Sequence, residues 1–233
     1  MTSNYKHIFF DLDRTLWDFD TNSKLALQEL YSECDIEARS GKQFDKFYKT
    51  YKAVNNFYWR QYRRGDIEKE SLRSIRFIRT LASIGVEDVN LGIKLGERYI
   101  QLSPYKTALF PNTIDVLEQL KNKNYELHII TNGFKEVQYI KLDKSGLSKY
   151  FNHVIISEEF GKNKPHPDIF HHALNLASTK AEESLMIGDS IEADLLGAKG
   201  VQMDQVYFNP EEHQHEHSFT HEIKELDELL NIL

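Results

Sequence analysis

The sequence predicts an α/β fold: a Rossmann-like open parallel sheet carrying an inserted all-helical domain. Three features predict it: short apolar runs that each end in a polar turn, helical patterns between those runs, and one long early stretch that is helical throughout. The first run, His7 to Phe10, ends in Asp11. Leu127–Ile130 ends at Thr131, Val154–Ile156 at Ser157, and Leu185–Ile187 at Gly188-Asp189, with a fifth run around Val206–Phe208. Continuous apolar runs of this length suit strands covered on both faces, as in a parallel sheet. Asn112, after Pro111, is a plausible N-cap for a helix with apolar positions at Ile114, Leu117 and Leu120. Pro167 suits a first helical turn followed by Phe170, Leu174 and Ala177. Ile191, Leu195 and Ala198 repeat that spacing after the Gly188-Asp189 turn.

Residues 17–104 contain no strand-like run. Val54, Phe57, Tyr58, Gln61 and Tyr62 fall at helical spacing, as do Leu72, Ile75, Ile78 and Ala82, and then Leu91, Leu95, Tyr99 and Leu102. These patterns predict a discontinuous core, 1–16 with 105–233, and a helical cap at 17–104. An insertion leaving just after the first strand is expected over the strand's carboxyl end, where open α/β sheets bind ligands.

Composition narrows the chemistry. Across 233 residues, Lys and Arg number 29 and Asp and Glu 36, a net charge of −7. With mean hydropathy −0.54 and pI near 5.8, the chain is a poor partner for nucleic-acid polymers or membrane surfaces, which demand a positive field. The single cysteine, Cys34, excludes an internal disulfide and a cysteine-rich zinc site. No stretch approaches the roughly 18 apolar residues of a membrane span. The opening Met1 to Lys6 meets Asp11 after only a short apolar run, unlike a secretory leader. The expected location is the cytoplasm.

The strand ends carry the reactive groups. Alternation along an extended chain puts Asp11 and Asp13 on one side. The second strand ends in Thr131-Asn132-Gly133, the third is followed by Lys162-Asn163-Lys164-Pro165, and the fourth ends in Gly188-Asp189, with Asp194 a helical turn later. In a parallel sheet these ends converge. Clustered carboxylates repel unless a cation or a shared proton intervenes. Carboxylates suit Mg²⁺, while a lysine, a threonine hydroxyl and helix N-termini suit phosphate oxygens. The set fits phosphoryl transfer.

Along nearly its whole length the chain resembles the haloacid dehalogenase-like (HAD) hydrolases. The resemblance rests on Asp11-Leu12-Asp13-Arg14-Thr15, Thr131, Lys164-Pro165 and Gly188-Asp189-Ser190-Ile191-Glu192-Ala193-Asp194. It implies that Asp11 is the nucleophile and Asp13 the general acid and base. It implies that Thr131, Asn132 and Lys164 hold the phosphate, and that Mg²⁺ is bound by Asp11, the Asp13 backbone carbonyl and Asp189, with Asp194 just outside the direct ligands. Arg14 departs from the family's usual glycine. Thr15-Leu16-Trp17-Asp18-Phe19, the helical insertion and Phe208-Asn209-Pro210 resemble a subgroup cleaving pyrimidine and non-standard nucleoside 5′-monophosphates. The implied substrate is thus a small phosphorylated metabolite, first among them a nucleoside monophosphate. Phosphatases of phosphoglycolate or sugar phosphates, and phosphomutases, share the core. A dehalogenase would leave Asp13 and the Asp189/Asp194 pair without a task, and an Asp-phosphorylated switch domain does not carry such an insertion.

Within the cap, Trp59, Tyr62, Arg63 and Arg64 are candidate substrate contacts, aromatic rings for stacking on a base and guanidinium groups for oxygen atoms. Helical aromatics more often form core. His213, His215, His217 and His221, interspersed with Glu211, Glu212 and Glu216, read as a solvated loop rather than a metal site, and His166, His171 and His172 as surface.

Overall fold

The structure, a computed structural model, describes residues 4–233; residues 1–3, the start of the stretch read as lacking a leader, lie outside it. The chain forms two compact units, Met1–Phe19 with Thr107–Leu233, and Asp20–Lys106.

The first unit is built on six strands: β1 (His7–Phe10), β2 (Glu126–Thr131), β3 (His153–Ile156), β4 (Ser184–Gly188), β5 (Asp204–Phe208) and β6 (His221–Ile223). Their order is β3-β2-β1-β4-β5-β6, and every neighbouring pair is parallel. The expected parallel sheet is present. Alternation divides its apolar residues between two faces. Ile8, Phe10, Leu127, Ile129, Leu185 and Ile187 lie in one buried cluster, and Phe9, Ile130, Ile155 and Met186 in another. Covering both faces is what makes the runs continuous rather than alternating in hydropathy. β6 corrects the reading of the His- and Glu-rich segment as loop alone. Only three residues long and bearing one buried residue, Ile223, it gives no apolar run to detect, and it is recruited by pairing with β5. Asn209 ties this segment down: it accepts from the His213 N–H and donates to Glu222 and the His213 carbonyl.

The second unit contains most of α1 (Phe19–Glu33), then α2 (Ile36–Ser40), α3 (Phe44–Arg64), α4 (Lys69–Ser83) and α5 (Val89–Leu102). Its own core joins Leu27, Leu30, Phe47, Tyr51, Phe77, Leu81, Leu95 and Tyr99. Gly96 lets α5 approach α4, since a Cβ there would sit 2.5 Å from the Arg73 carbonyl oxygen. On α5 the expected Leu91, Leu95 and Tyr99 are buried. On α3 and α4 the buried faces differ from the apolar patterns. α3 buries Phe47, Tyr51 and Asn55, whereas Phe57 is 48% exposed. α4 buries Leu72, Arg76, Phe77, Thr80 and Leu81, leaving Ile75, Ile78 and Ala82 half-buried. Hydrophobic periodicity counts Asn55, Arg76 and Thr80 as solvent-facing, so the inferred stripe rotates away from the real one.

The first unit also carries α6 (Thr113–Asn122), α7 (Lys135–Lys144), α8 (Ser157–Phe160), α9 (Pro167–Leu176), α10 (Leu196–Gly200) and α11 (Leu229–Ile232). Asn112 occupies the N-cap position of α6 in the left-handed region, with no capping bond from its side chain. Pro167 opens α9. The stretch after β4 starts as a π-helical turn, Ile191–Leu195, which Ser190 caps by accepting from the Ala193 N–H. His166, His171 and His172 are exposed.

Three histidines stack across neighbouring strands, His128 lying 5.4 Å from His7 and 5.3 Å from His153 between ring centres. Burial, reinforced by His7, His153 and Lys121, lowers the His128 pKa from 6.5 to about 3. The folded chain keeps His128 neutral while the unfolded chain protonates it near its ordinary pKa. Its contribution to stability is therefore complete above pH 6.5 and is lost as pH falls from there toward 3. His128→Phe is expected to flatten the decline in unfolding free energy between pH 7 and 4.5; denaturant titrations with equal pH slopes would refute the assignment.

Candidate active site

The sheet order puts β1 between β2 and β4, so the chain reverses direction across the sheet beside β1. Such switch points leave a crevice at the carboxyl ends of the strands. Asp11 follows β1 directly, its N–H bonded to the Ile187 carbonyl of β4 at 2.9 Å. Its carboxylate meets the Lys164 ammonium at 2.7 Å. The same Nζ donates to Asp194 Oδ1 at 2.5 Å and to the Ile130 carbonyl at 2.6 Å. Lys164 is 1% exposed and fully committed. Asp194 receives the Ser190 N–H on its other oxygen at 3.0 Å. Gly188 makes room for it, because a Cβ there would lie 2.3 Å from Asp194 Oδ2.

Asp11, Asp189 and Asp194 each offer a carboxylate oxygen within 4.8 Å of the others. Burial and the Asp194 charge raise the Asp11 pKa to about 7 despite Lys164. Asp189 is raised well above the ordinary range by burial, Asp194 and Asp11. Lys164 is itself raised, because Asp11 and Asp194 outweigh its burial. One lysine therefore does not balance three acids. A small divalent cation with a preference for oxygen would, and the donor set suits Mg²⁺.

Asp13 faces a different set of partners. Lys141 Nζ lies 2.5 Å from Oδ1, and Gln138 Nε2 donates to Oδ2 at 2.9 Å. Gln138 also donates to the Thr131 hydroxyl at 2.6 Å, and the Gly133 N–H does so at 3.2 Å. Lys141 is 5% exposed, with Nζ 4.2 Å from the Trp17 ring centre. Burial outweighs Asp13 and lowers its pKa. Both residues lie on α7, one turn apart, and are buried alongside Val137 and Leu142. Sequence reading missed them. Their signal was a Gln and a Lys three apart after the Thr131 turn, which resembles any solvated helix face.

The family model for haloacid dehalogenase-like hydrolases matches residues 8–208. The chain belongs to that family. It is 33% identical to pyrimidine 5′-nucleotidase PynA of Streptococcus pneumoniae, covering 98% of this chain and 95% of that protein. It is 34% identical to pyrimidine 5′-nucleotidase YjjG of Escherichia coli, covering 82% and 80%. The HAD-hydrolase YfnB from Bacillus subtilis, solved bound to magnesium, superposes with TM-score 0.89 at 29% identity, covering 98% of each chain. Other relatives are named as phosphatases of glyceraldehyde 3-phosphate and of ribulose 1,5-bisphosphate. The chain is a HAD-type phosphatase.

In this phosphatase Asp11, Lys164, Asp189 and Asp194 are brought together as the sequence reading expected, with Asp13 and Thr131 joined through Gln138. Asn132, expected to help hold the phosphate, has its side chain on the Lys164 backbone. Its side chain accepts from the Lys164 N–H at 2.8 Å and donates to the Lys164 carbonyl at 2.9 Å, so it clamps the lysine's backbone. Arg14 adopts φ 66°, a conformation that favours glycine, and its guanidinium lies 4.4 Å from the Phe19 ring centre. Trp59, Tyr62, Arg63 and Arg64 lie on the last turns of α3 in the helical unit. The Trp59 and Tyr62 rings meet edge-on at 5.6 Å, and Arg64 is exposed. His215 packs on Tyr207 and Phe219, and among the described residues no histidine joins a metal-binding group. No helix among them is long and apolar enough to cross a membrane.

Two outcomes follow for this phosphatase. Lys141→Met is expected to lower kcat roughly 10–100-fold with little change in KM, because Asp13 loses its anchor, and Lys141→Arg is expected to recover part of it. Equal changes in kcat and KM would deny Lys141 a positioning role. Gly188→Ala is expected to lower both the melting temperature and kcat/KM, since Asp194 must move and release Lys164; an unchanged melting temperature would contradict the packing.

Proposed function

We propose that the chain is a cytoplasmic, Mg²⁺-dependent nucleoside 5′-monophosphate phosphatase acting through an aspartyl-phosphate on Asp11. The observation carrying this reading is the Lys164 ammonium held between Asp11 and Asp194 beside Asp189. That arrangement suits a transferring phosphoryl group and serves no evident purpose in a merely folded sheet edge. The similarity to two pyrimidine 5′-nucleotidases supports the substrate class.

Asp11, Asp189 and the Asp13 main-chain carbonyl are suited to hold Mg²⁺, which when bound offsets negative charge around the phosphate. Lys164 neutralises one carboxylate and keeps Asp11 aimed. The Thr131 hydroxyl, accepting from Gln138, retains its own proton to donate to a phosphate oxygen. An Asp11 carboxylate oxygen attacks phosphorus, and the bond from phosphorus to the ester oxygen breaks. Protonated Asp13 delivers its proton to the departing oxygen. Asp13, now ionised, takes a proton from water as the water oxygen attacks phosphorus. The Asp11–phosphorus bond breaks, inorganic phosphate leaves, and the carboxylate is restored. The helical unit serves as the cap in this reading, with Trp59, Tyr62, Arg63 and Arg64 as candidate contacts to the nucleoside.

Asp11→Asn is expected to abolish phosphate release while leaving the circular dichroism spectrum unchanged; near-normal turnover would refute the nucleophile. EDTA is expected to remove activity and added Mg²⁺ to restore it. Across UMP, ribose 5-phosphate, glyceraldehyde 3-phosphate and phosphoglycolate, the highest kcat/KM is expected for UMP. The names of the sugar-phosphate relatives favour a second reading, and a maximum on a sugar phosphate would establish it over the first.

A further inference from the structure

The helical unit encloses a cation that the phosphoryl chemistry does not use. Arg76 is 3% exposed. Among the described residues no carboxylate pairs with it, and its one hydrogen bond runs from Nη1 to Asn55 Oδ1 at 2.9 Å. Its Nε is buried with no acceptor. The guanidinium lies 5.3 Å from the Phe77 ring centre and 5.0 Å from that of Tyr99. Asn55, 2% exposed, also accepts from the Tyr51 hydroxyl at 3.3 Å. No hydrogen bond from its Nδ2 is found among the described residues.

A guanidinium carries five N–H donors and is almost never buried without partners for most of them. Leaving a buried charge uncompensated is costly, and an apolar side chain beside Leu72, Phe77 and Leu81 would avoid that cost. The unused capacity here is all of one kind. Asn55 Oδ1 already takes two donors, so what remains is donors only: Arg76 Nε and Nη2, and Asn55 Nδ2. The Tyr51, Phe77 and Tyr99 rings adjoin, with centres 5.1 to 5.9 Å apart.

We infer that Arg76 and Asn55 form a recognition subsite for a planar group edged with hydrogen-bond acceptors. Building on the nucleotidase reading, that group is the pyrimidine base. Uracil and thymine present two carbonyl oxygens, and cytosine presents a carbonyl oxygen and a ring nitrogen. Arg76 and Asn55 are thus the specificity-determining pair, and the aromatic cluster fixes the guanidinium plane.

The full-length protein with UMP, ribose 5-phosphate and fructose 1,6-bisphosphate supplies the test. Arg76→Met is expected to raise KM for UMP roughly 10–100-fold, the loss of a charge-assisted hydrogen bond, with kcat nearly constant and ribose 5-phosphate kinetics unaffected. Inhibition by uridine is expected to weaken in parallel while inhibition by inorganic phosphate is unchanged. The melting temperature is expected to hold or rise, since a buried uncompensated charge is gone; Arg76→Lys is expected to fall between the two. Equal losses on UMP and ribose 5-phosphate with a lowered melting temperature would make Arg76 structural and overturn the subsite. A loss confined to the bisphosphate would make it a site for a second phosphate and overturn it equally. A wild-type protein that neither prefers UMP nor is inhibited by uridine overturns the nucleotidase reading itself, whereas a wild-type preference that Arg76→Met leaves intact overturns only the subsite.

Discussion

The Lys164 ammonium is the interaction on which the rest of the site depends. It reaches from the segment after β3 to the acid after β1, an acid after β4 and the Ile130 carbonyl of β2. Four strand ends are tied by one charge. Buried carboxylates alone would repel and take up protons, and a buried ammonium alone would lose its proton. Together they are mutually stabilising but not neutral, and the raised pKa values of Asp11 and Asp189 report the remaining excess of negative charge. That excess of negative charge makes the cluster receptive to a divalent cation. Fold and chemistry meet in the same electrostatic balance.

The two buried lysines behave oppositely for a simple reason. Lys164 has two carboxylates and a carbonyl, and attraction wins over burial. Lys141 has one carboxylate, Asp13, and the face of Trp17, and burial wins. The first is firmly charged and suits a steady electrostatic part. The second holds Asp13 by position, in concert with Gln138, which also orders the Thr131 hydroxyl. α7 therefore links Asp13, just beyond β1, with Thr131 at the end of β2, which the sequence reading treated as separate.

Much of this was legible beforehand because parallel sheets leave strong local marks. Asp11, Thr131, Lys164 and Asp189 each stand just beyond an apolar run or just before a helix, and such positions converge in any open α/β sheet. Asn132 was legible as part of the same strand end, but its side-chain bonds to the Lys164 backbone were not, because they join segments 32 positions apart. Gln138, Lys141, Asn55 and Arg76 were not legible at all. Polar residues at helical spacing look solvated, and only packing tells which of them turns inward. The same limit rotated the inferred faces of α3 and α4 and hid the short β6.

By itself the sequence determined the alternation of strand and helix, the helical insertion after β1 and the order of acids, hydroxyl and lysine along the chain, since these follow from periodicity and turn chemistry within a few residues. Tertiary structure alone decided which oxygen meets which ammonium, which amide clamps a backbone and which arginine is shut away from water. Those outcomes depend on distances between segments far apart in the chain, 153 positions for Lys164 and Asp11, and no local pattern encodes a distance of that kind.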